Sequence, residues 1–205
     1  MSEVIVDTLK HSGNSGTANV TLASNGNVTV AGALSAGSFT GAGLFTSYAI
    51  ICDQKDSTTD GGDFTTGAWR TRNLNTEIAD PDGIVSISSN QFTLQAGTYL
   101  IKWSAPAYDV DRHVTRLYDV TNSALRQYGK TMYVNSSDNI QSDSNGFARI
   151  TISGATAYEI QHSCQTSNSV YGLGVASETT AAGAYSDGTT EGYSIFTVVE
   201  IYKEA

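Results

Sequence analysis

The chain has 205 residues, with 11 Lys and Arg against 20 Asp and Glu and a net charge of −9 at pH 7. Ser, Thr, Asn and Gly together number 81, and charged residues make up only 15%. Because these four residue types are poor helix formers, the composition excludes a helical protein. The apolar share of 40% is enough for a core and excludes a disordered chain. Acidic charge without a basic cluster excludes a nucleic-acid partner.

The amino terminus, MSEVIVD, lacks a basic stretch followed by an apolar segment, so we predict no secretory signal. No run approaches the length of about 18 apolar residues that a membrane span requires, and we predict no membrane insertion. Cys52 and Cys164 lie far apart in apolar runs. Without an export signal they are interpreted as reduced core thiols, with a disulfide between them as the alternative.

Residues 1–45 are predicted to form an extended β arm rich in Gly, Ser and Asn. Its best-defined part is VTLASNGNVTV (20–30), in which Asn25-Gly26 is a hairpin signal. A two-residue loop places Leu22 opposite Thr29, whereas a three-residue loop places Leu22 opposite Val30 and groups the apolar side chains. Matching of the two faces favours the longer loop. A lone hairpin is marginal in water, so the arm requires a partner.

Residues 46–205 alternate between strand-like runs and turns and show no helical period. The candidate strands are residues 47–52, 64–74, 84–87, 97–104, 113–120, 125–134, 147–153, 158–165, 169–176 and 192–202. Short strands separated by turns, without helices, predict an all-β antiparallel sandwich or jelly roll. The last strand is apolar on both faces, which is typical of a central strand that also contacts a second sheet or a neighbouring subunit.

The histidines do not form a recognisable catalytic motif. His113 follows Asp109 and Asp111, an arrangement that a Ser-His-Asp triad also uses, but the chain lacks the Gly-x-Ser-x-Gly elbow. A charged loop that leads into a strand explains these residues better. His162 alternates with apolar residues and is interpreted as an inward or interface residue. We therefore predict no catalytic residues and no enzyme.

The loop of residues 53–63 is acidic and was weighed as a calcium site. Its spacing does not fit the twelve-residue calcium loop, and Lys55 lies among the acids, so a solvated loop is the better interpretation. The sequence Gly172-Leu173-Gly174 has no following helix to receive a phosphate and is interpreted as a strand kink or close-packing site. We predict no metal and no cofactor.

Several separated motifs resemble a domain that recurs in virion proteins of tailed bacteriophages. They are WRTRNLN (69–75), IVSISSNQFTLQAGTY (84–99), APAY (105–108), DRH (111–113), RLY (116–118), YEIQH (158–162) and VVEIYKE (198–204). That domain is similar to the jelly roll of tumour necrosis factor and complement proteins, which assembles as a compact trimer. The segment IVDTLKHS (5–12) with the hairpin after it resembles the leader of phage fibre and decoration proteins.

The resemblance implies a homotrimer of the jelly roll in residues 46–205, attached to a particle through residues 1–45. We expect the trimer interface at Tyr193, Ile195, Phe196, Val198, Tyr202 and Tyr158. The arm would contact the major capsid protein or another virion protein through Val4, Ile5, Val6, Leu9, Val20, Leu22, Val28 and Val30. Exposed loops would carry recognition residues at Asp53, Asp56, Asp60, Asp63, Asp138 and Asn139.

Two functions from different classes follow from this resemblance. The first is a virion-surface structural protein, a capsid decoration (cement) protein or short head fibre, assembled in the host cytoplasm. The alternative is a tail-fibre or receptor-binding protein whose jelly-roll tip recognises a host-surface glycan or protein. The short arm favours the first function, because little shaft is present to hold a receptor-binding tip away from a tail.

Overall fold

The computed structural model describes residues 44–176 and 192–205, together with the backbone of three short strands nearer the amino terminus. The chain divides into two compact units, Met1–Ala42 and Gly43–Ala205. The described residues of the second unit form strands, turns and loops and no helix, in agreement with the predicted all-β class. No helix in the described ranges is long and apolar enough to cross a membrane.

The first unit contains an antiparallel sheet of β1 (Thr8–Leu9), β2 (Val20–Leu22) and β3 (Val28–Val30), in that order. In the register of β2 and β3, Val20 is opposite Val30 and Leu22 is opposite Val28. The prediction that Leu22 pairs with Val30 is therefore wrong, because the pairing is centred on position 25 and not on position 26. The observed register still pairs apolar residues with apolar residues, as the matching of faces requires.

The described residues of the second unit form twelve strands. They are β4 (Phe45–Asp56), β5 (Arg70–Thr71), β6 (Thr76–Ala79), β7 (Val85–Ser88), β8 (Gln91–Leu94), β9 (Gly97–Tyr108), β10 (Asp111–Asp119), β11 (Ala124–Tyr128), β12 (Met132–Val134), β13 (Gln141–Ile152), β14 (Thr156–Cys164) and β15 (Tyr193–Glu204). All their pairings are antiparallel.

These strands form two sheets. The five-stranded sheet has the order β13-β9-β15-β4-β6, so the last strand of the chain lies at its centre. The seven-stranded sheet has the order β11-β10-β14-β8-β7, with β12 beside β10 and β5 beside β14. The chain passes repeatedly from one sheet to the other along its length, which gives an antiparallel β-sandwich of the jelly-roll type. The predicted fold class is confirmed.

The core lies between the sheets and is built from the inward side chains of the long strands. Alternation within β9 buries Tyr99, Ile101 and Trp103 on one face. From the other sheet, Phe92 and Tyr158 stack at a ring-centroid distance of 5.7 Å. Burial of these aromatic and branched side chains is the main stabilising contribution to the sandwich.

The predicted strand at residues 169–176 is wrong. After the single bridge of Asn168 to Phe64, this segment folds into turns. A Cβ at position 172 would lie 2.7 Å from the Cβ of Phe64, and Gly174 has a φ of +127°. Both glycines are therefore required for close packing and turning, which agrees with the close-packing interpretation and not with a continuous strand.

The two cysteines are unbonded and buried in different sheets, Cys52 in β4 and Cys164 in β14. Burial raises the pKa of the Cys52 thiol, and the neighbouring Asp53 adds to this effect. Burial raises the pKa of the Cys164 thiol to about 11. Both side chains are therefore neutral thiols at pH 7, as expected for core residues.

Candidate self-association surface

The central strand β15 presents one face to the core and the other to the outside of the sandwich. Val199 and Ile201 are fully buried in the core. Because side chains alternate along a strand, Val198 and Tyr202 point to the opposite face, where both are half-buried. This outer face of the five-stranded sheet is called the outer face below.

A register shift in β15 extends this face toward the beginning of the strand. Between Ile195 and Val198 the pairing with β4 contains a bulge. Phe196 and Thr197 are both buried, whereas Ile195 and Tyr193 are 50% and 54% exposed. The extra residue lets two successive side chains point inward, so that Ile195 returns to the same face as Val198.

The strand register places three rows of side chains across the outer face. The first row is Tyr48, Tyr202, Leu100 and Arg149; the second is Ile50, Glu200, Lys102 and Phe147; the third is Val198, Ser104 and Asn145. Apolar and aromatic side chains therefore run from β4 to β13, with an ion pair near the middle. Such a large mixed surface is typical of contacts between subunits.

A groove of about 500 Å³ lies on this face, with Leu100, Val198 and Phe147 in its lining. Phe147 is 72% exposed, the highest value among the aromatic side chains of the described residues. The floor of the groove includes Trp103, over which the chain passes at Gly146. A Cβ at position 146 would overlap the indole ring, so glycine is required there.

The ion pair of Lys102 and Glu200 has an Nζ–Oε2 distance of 3.0 Å. The Tyr202 hydroxyl donates to the same Oε2 atom at 2.6 Å. The hydrogen bond from Tyr202, more than the one from Lys102, lowers the pKa of the Glu200 carboxyl. The hydrogen bond to Glu200 in turn raises the pKa of the Lys102 ammonium. The two charges are therefore already matched within one chain, which allows this face to be covered without an unpaired charge.

The structure places the predicted interface residues in two different environments. Tyr193, Ile195, Val198 and Tyr202 lie together on the outer face. Phe196 is buried against Gly174, and Tyr158 is fully buried in the core. This burial corrects the assignment of Phe196 and Tyr158 to an interface, since neither side chain is accessible to another subunit.

Sequence reasoning missed the contributions of the other three strands to this face: Tyr48, Ile50, Leu100 and Phe147. The signal was present in β9, where Leu100 alternates with the inward Tyr99 and Ile101. Phe147 has no such signal, because its neighbours in sequence are polar or small. Its place on the face follows from the pairing of β13 with β9.

The predicted attachment residues fall in the first unit. Leu9, Val20 and Leu22, Val28 and Val30 lie on β1, β2 and β3. Val4, Ile5 and Val6 lie outside the described residues.

The loops that carry Asp60, Asp63, Asp138 and Asn139 are residues 57–64 and 135–141. They meet residues 108–111 and 165–176 at one end of the sandwich, called the loop end. Backbone hydrogen bonds join them, with Tyr108 N–H donating to Gly172 and Asp109 N–H donating to Ile140. The opposite end holds Leu44, whose carbonyl accepts from Ala205. The strand β4 spans the two ends, a length of about 35 Å.

Most of the predicted recognition residues are exposed there, namely Asp56, Asp63, Asp138 and Asn139, and Asp60 is half-buried. Asp53 is buried, which corrects its assignment to an exposed loop. The ammonium of Lys55 donates to the carbonyls of Asp60 and Gly61 at 3.1 and 2.8 Å. This side chain supplies the positive charge within the acidic loop, as the solvated-loop interpretation requires.

Asp111 and His113 do not form a hydrogen-bonded pair. The carboxylate of Asp111 accepts from Thr166 and from the Ser136 amide, not from His113. His113 instead contacts Ser142 and His162, in the order of a nucleophile, a base and an orienting group. Both rings are buried, whereas Ser142 is half-buried.

No family model and no curated protein sequence matches the chain. Solved structures are similar to it at low identity. The globular domain of zebrafish complement 1qA is 12% identical, with a TM-score of 0.46, over 77% of this chain and 96% of that chain. Eiger TNF from S. frugiperda is 9% identical, with a TM-score of 0.49, over 79% and 94%. PRD1 vertex protein P5 is 11% identical, with a TM-score of 0.44, over 80% and 100%. At such identities the likeness concerns the fold and not the function.

Proposed function

We propose that this chain is a homotrimeric structural protein of a tailed-bacteriophage virion. The observation that carries the self-association is the outer face, where Ile195, Val198, Tyr202 and Phe147 form a partly exposed apolar surface around the Lys102–Glu200 ion pair. The motifs that resemble phage virion domains support the particle. On this proposal the outer face lies against neighbouring subunits, and the seven-stranded sheet faces solvent.

The role that we propose is capsid decoration, as a cement protein or short head fibre. The arm, residues 1–45, would bind the major capsid protein or another virion protein. The position of Leu44 at the end opposite the loop end supports this arrangement, because a chain that enters there directs its loops away from the particle. The protein would be assembled in the host cytoplasm and lie on the virion surface.

The arm is tested by comparing the full chain with a truncation that contains only residues 46–205. Both proteins are mixed with expanded capsids that lack the protein, and binding is measured by co-sedimentation. We expect both to be trimers and only the full chain to sediment with the capsids. Retained binding by the truncation would rule out attachment through the arm.

The loop end favours a second candidate function, receptor binding. Tyr108 and Tyr171 pack edge to face there at 5.2 Å, and Ile140 and Val170 are 47% and 58% exposed. Aromatic and apolar side chains beside the exposed Asn139 suit a host-surface glycan or protein. Copy number per virion separates the two functions: hundreds of copies support decoration, and about six trimers support a tail fibre. A receptor-binding tip should also compete with the phage for adsorption to host cells.

A further inference from the structure

A polar cluster lies between the two sheets near the loop end. His113 on β10 and His162 on β14 are 1% and 0% exposed. Their Nδ1 and Nε2 atoms are 2.9 Å apart, and His113 Nε2 lies 3.0 Å from Ser142 Oγ. The remaining ring nitrogen, Nδ1 of His162, is buried and has no hydrogen-bond partner. The two imidazoles are thus in contact at a buried site, where a further proton would have no contact with water.

After burial itself, the positive charge of Arg72 is the next cause that lowers the pKa of both imidazoles, and Arg72 is itself fully buried. Its guanidinium donates to Thr197 Oγ1 and to the carbonyls of Pro106 and Leu173. The carboxylates that act on it are Asp53 and Asp143. Across the strand pairs, the neutral Cys164 is opposite His113, and Arg70 is opposite His162. The charge that bears on both imidazoles is therefore positive and fixed.

The hydrogen bonds of the cluster are complete only when both rings are neutral. If His162 donates from Nε2 to His113 Nδ1, and His113 donates from Nε2 to Ser142, then the unpartnered atom of His162 is a bare acceptor. A proton on that atom creates a buried donor without an acceptor. A proton on His113 Nδ1 places two N–H groups against each other. Either event adds a second positive charge beside Arg72.

The same cluster holds the loop end to the sheets. The ring of Phe64 lies 4.8 Å from that of His162, and Phe64 exchanges two backbone hydrogen bonds with Asn168. Arg72 donates a hydrogen bond to the carbonyl of Leu173, so the segment that follows Asn168 is also held by this cluster. The main apolar core, which includes Ile101 and Val199, does not include either histidine.

We propose that the His113–His162 pair is an acid-sensitive switch, in which protonation detaches residues 61–64 and 165–176 from the sheets while the main apolar core stays folded. The switch does not depend on the proposed function. It would set the pH below which the loop end changes from an ordered to an open state.

The direction follows from the pKa values of the folded chain. Burial, and then Arg72, lowers the pKa of His113 from 6.5 to about 4. Burial, Arg72 and His113 lower the pKa of His162 well below its usual value. Groups with a lowered folded pKa stabilise the closed state above pH 6.5, and this stabilisation is lost as the pH falls toward 4. From these values for His113 alone, the opening equilibrium at pH 4.5 rises about 60-fold over that at pH 7.

Hydrogen exchange of the full chain, measured at pH 7.0 and 4.5 and corrected for intrinsic rates, tests the switch. The reporters are the hydrogen-bonded amides of Phe64, Tyr108, Asn168 and Leu173. We expect their protection to fall at least tenfold at pH 4.5, whereas amides of β9 and β15 such as Ile101 and Val199 keep theirs. Equal protection of the loop amides at the two pH values, or an equal loss throughout both sheets, would overturn the proposal.

A variant separates the switch from an ordinary effect of acid. His162→Gln keeps a donor near the Nε2 position but cannot gain a proton, so we expect a pH dependence at least fivefold smaller. His11→Gln changes the third histidine of the chain and should behave as the unmodified protein does. If His162→Gln does not fold, His113→Gln is used in its place. An unchanged pH dependence in the folded variant contradicts the proposal.

Discussion

Arg72 joins the two sheets through hydrogen bonds from a fully buried cation. Its Nε donates to Thr197 Oγ1 of β15 at 2.8 Å, and its Nη2 donates to the carbonyl of Leu173 at 2.8 Å. Burial lowers its pKa to about 10, which leaves the guanidinium charged at pH 7. A buried charge is tolerated only when its donors have partners, and here each nitrogen has one.

Replacement of this cation should be costly. We expect Arg72→Met to lower the free energy of unfolding by about 3–5 kcal/mol, because its three hydrogen-bond acceptors lose their donor inside the protein and Asp53 loses a nearby positive charge. Urea denaturation measures the change. The control is Arg112→Met on the other sheet, which removes an exposed hydrogen bond to Gln165 and should cost less than about 1 kcal/mol. Similar losses in the two variants would contradict this role.

The buried carboxylate of Asp119 should make the stability of the fold depend on pH in the acid range. Burial alone would raise the pKa of its carboxyl, but hydrogen bonds from Asn122 and Arg126 outweigh burial and lower it. The carboxylate therefore stabilises the fold above about pH 3.8, and this stabilisation is lost as the pH falls through the lower folded value.

We expect Asp119→Asn to be destabilised by about 1–3 kcal/mol at pH 7, since the amide accepts fewer hydrogen bonds from Arg126. Below pH 4 its melting temperature should depend on pH less steeply than that of the unmodified chain. Thermal unfolding followed by circular dichroism between pH 7 and 2 gives both curves. Parallel curves would show that another group carries the acid dependence.

At the scale of single strands, β13 pairs with β9 so that Gly146 is opposite Trp103 and lies against its indole. Gly146→Ala should lower the free energy of unfolding by about 1–3 kcal/mol, because its Cβ overlaps the ring. Gly154→Ala is the matched control, since a Cβ at position 154 meets no atom within 4 Å. Denaturant unfolding followed by tryptophan fluorescence measures both. If Gly146→Ala left the free energy of unfolding unchanged, the close packing of Gly146 against Trp103 would be contradicted.

The sequence predicted the long strands well and the irregular segments poorly. Two apolar faces in residues 192–202 indicated a central strand, and β15 lies at the centre of its sheet. Alternation cannot recognise a bulge, so Phe196 was assigned to the wrong face. Residues 169–176 read as a strand because their apolar residues alternate, but Gly174 adopts a positive φ that turns the chain. Such contacts depend on partners that are distant in sequence.

The candidate surface was predictable only in the strand that displays it most clearly. Val198 and Tyr202 follow from the alternation of one strand, whereas Tyr193 and Ile195 join them only because of the bulge. Phe147 joins them because β13 pairs with β9 in a particular register, and that register depends on the assembled sheet. The His113–His162 contact likewise requires two neighbouring strands in register, which no spacing in the sequence encodes.

At the scale of the whole molecule, the outer face is the surface whose burial the trimer requires. Phe147→Glu places a charge on the face at a position that is 72% exposed, so the fold of the single chain should be unaffected. We expect the variant to lose its association, because a carboxylate would be desolvated between subunits. Leu125→Glu, on the exposed edge strand β11 of the other sheet, should associate as the unmodified chain does. Multi-angle light scattering after gel filtration measures the masses.

The most direct test of the central claim is the solution mass of the full chain. One chain has a mass of 21.6 kDa, so a homotrimer has about 65 kDa. Sedimentation equilibrium at micromolar concentration should give the trimer mass, in agreement with subunits that cover one another's outer faces. A mass of 21.6 kDa at these concentrations would leave that face in solvent and would contradict the account.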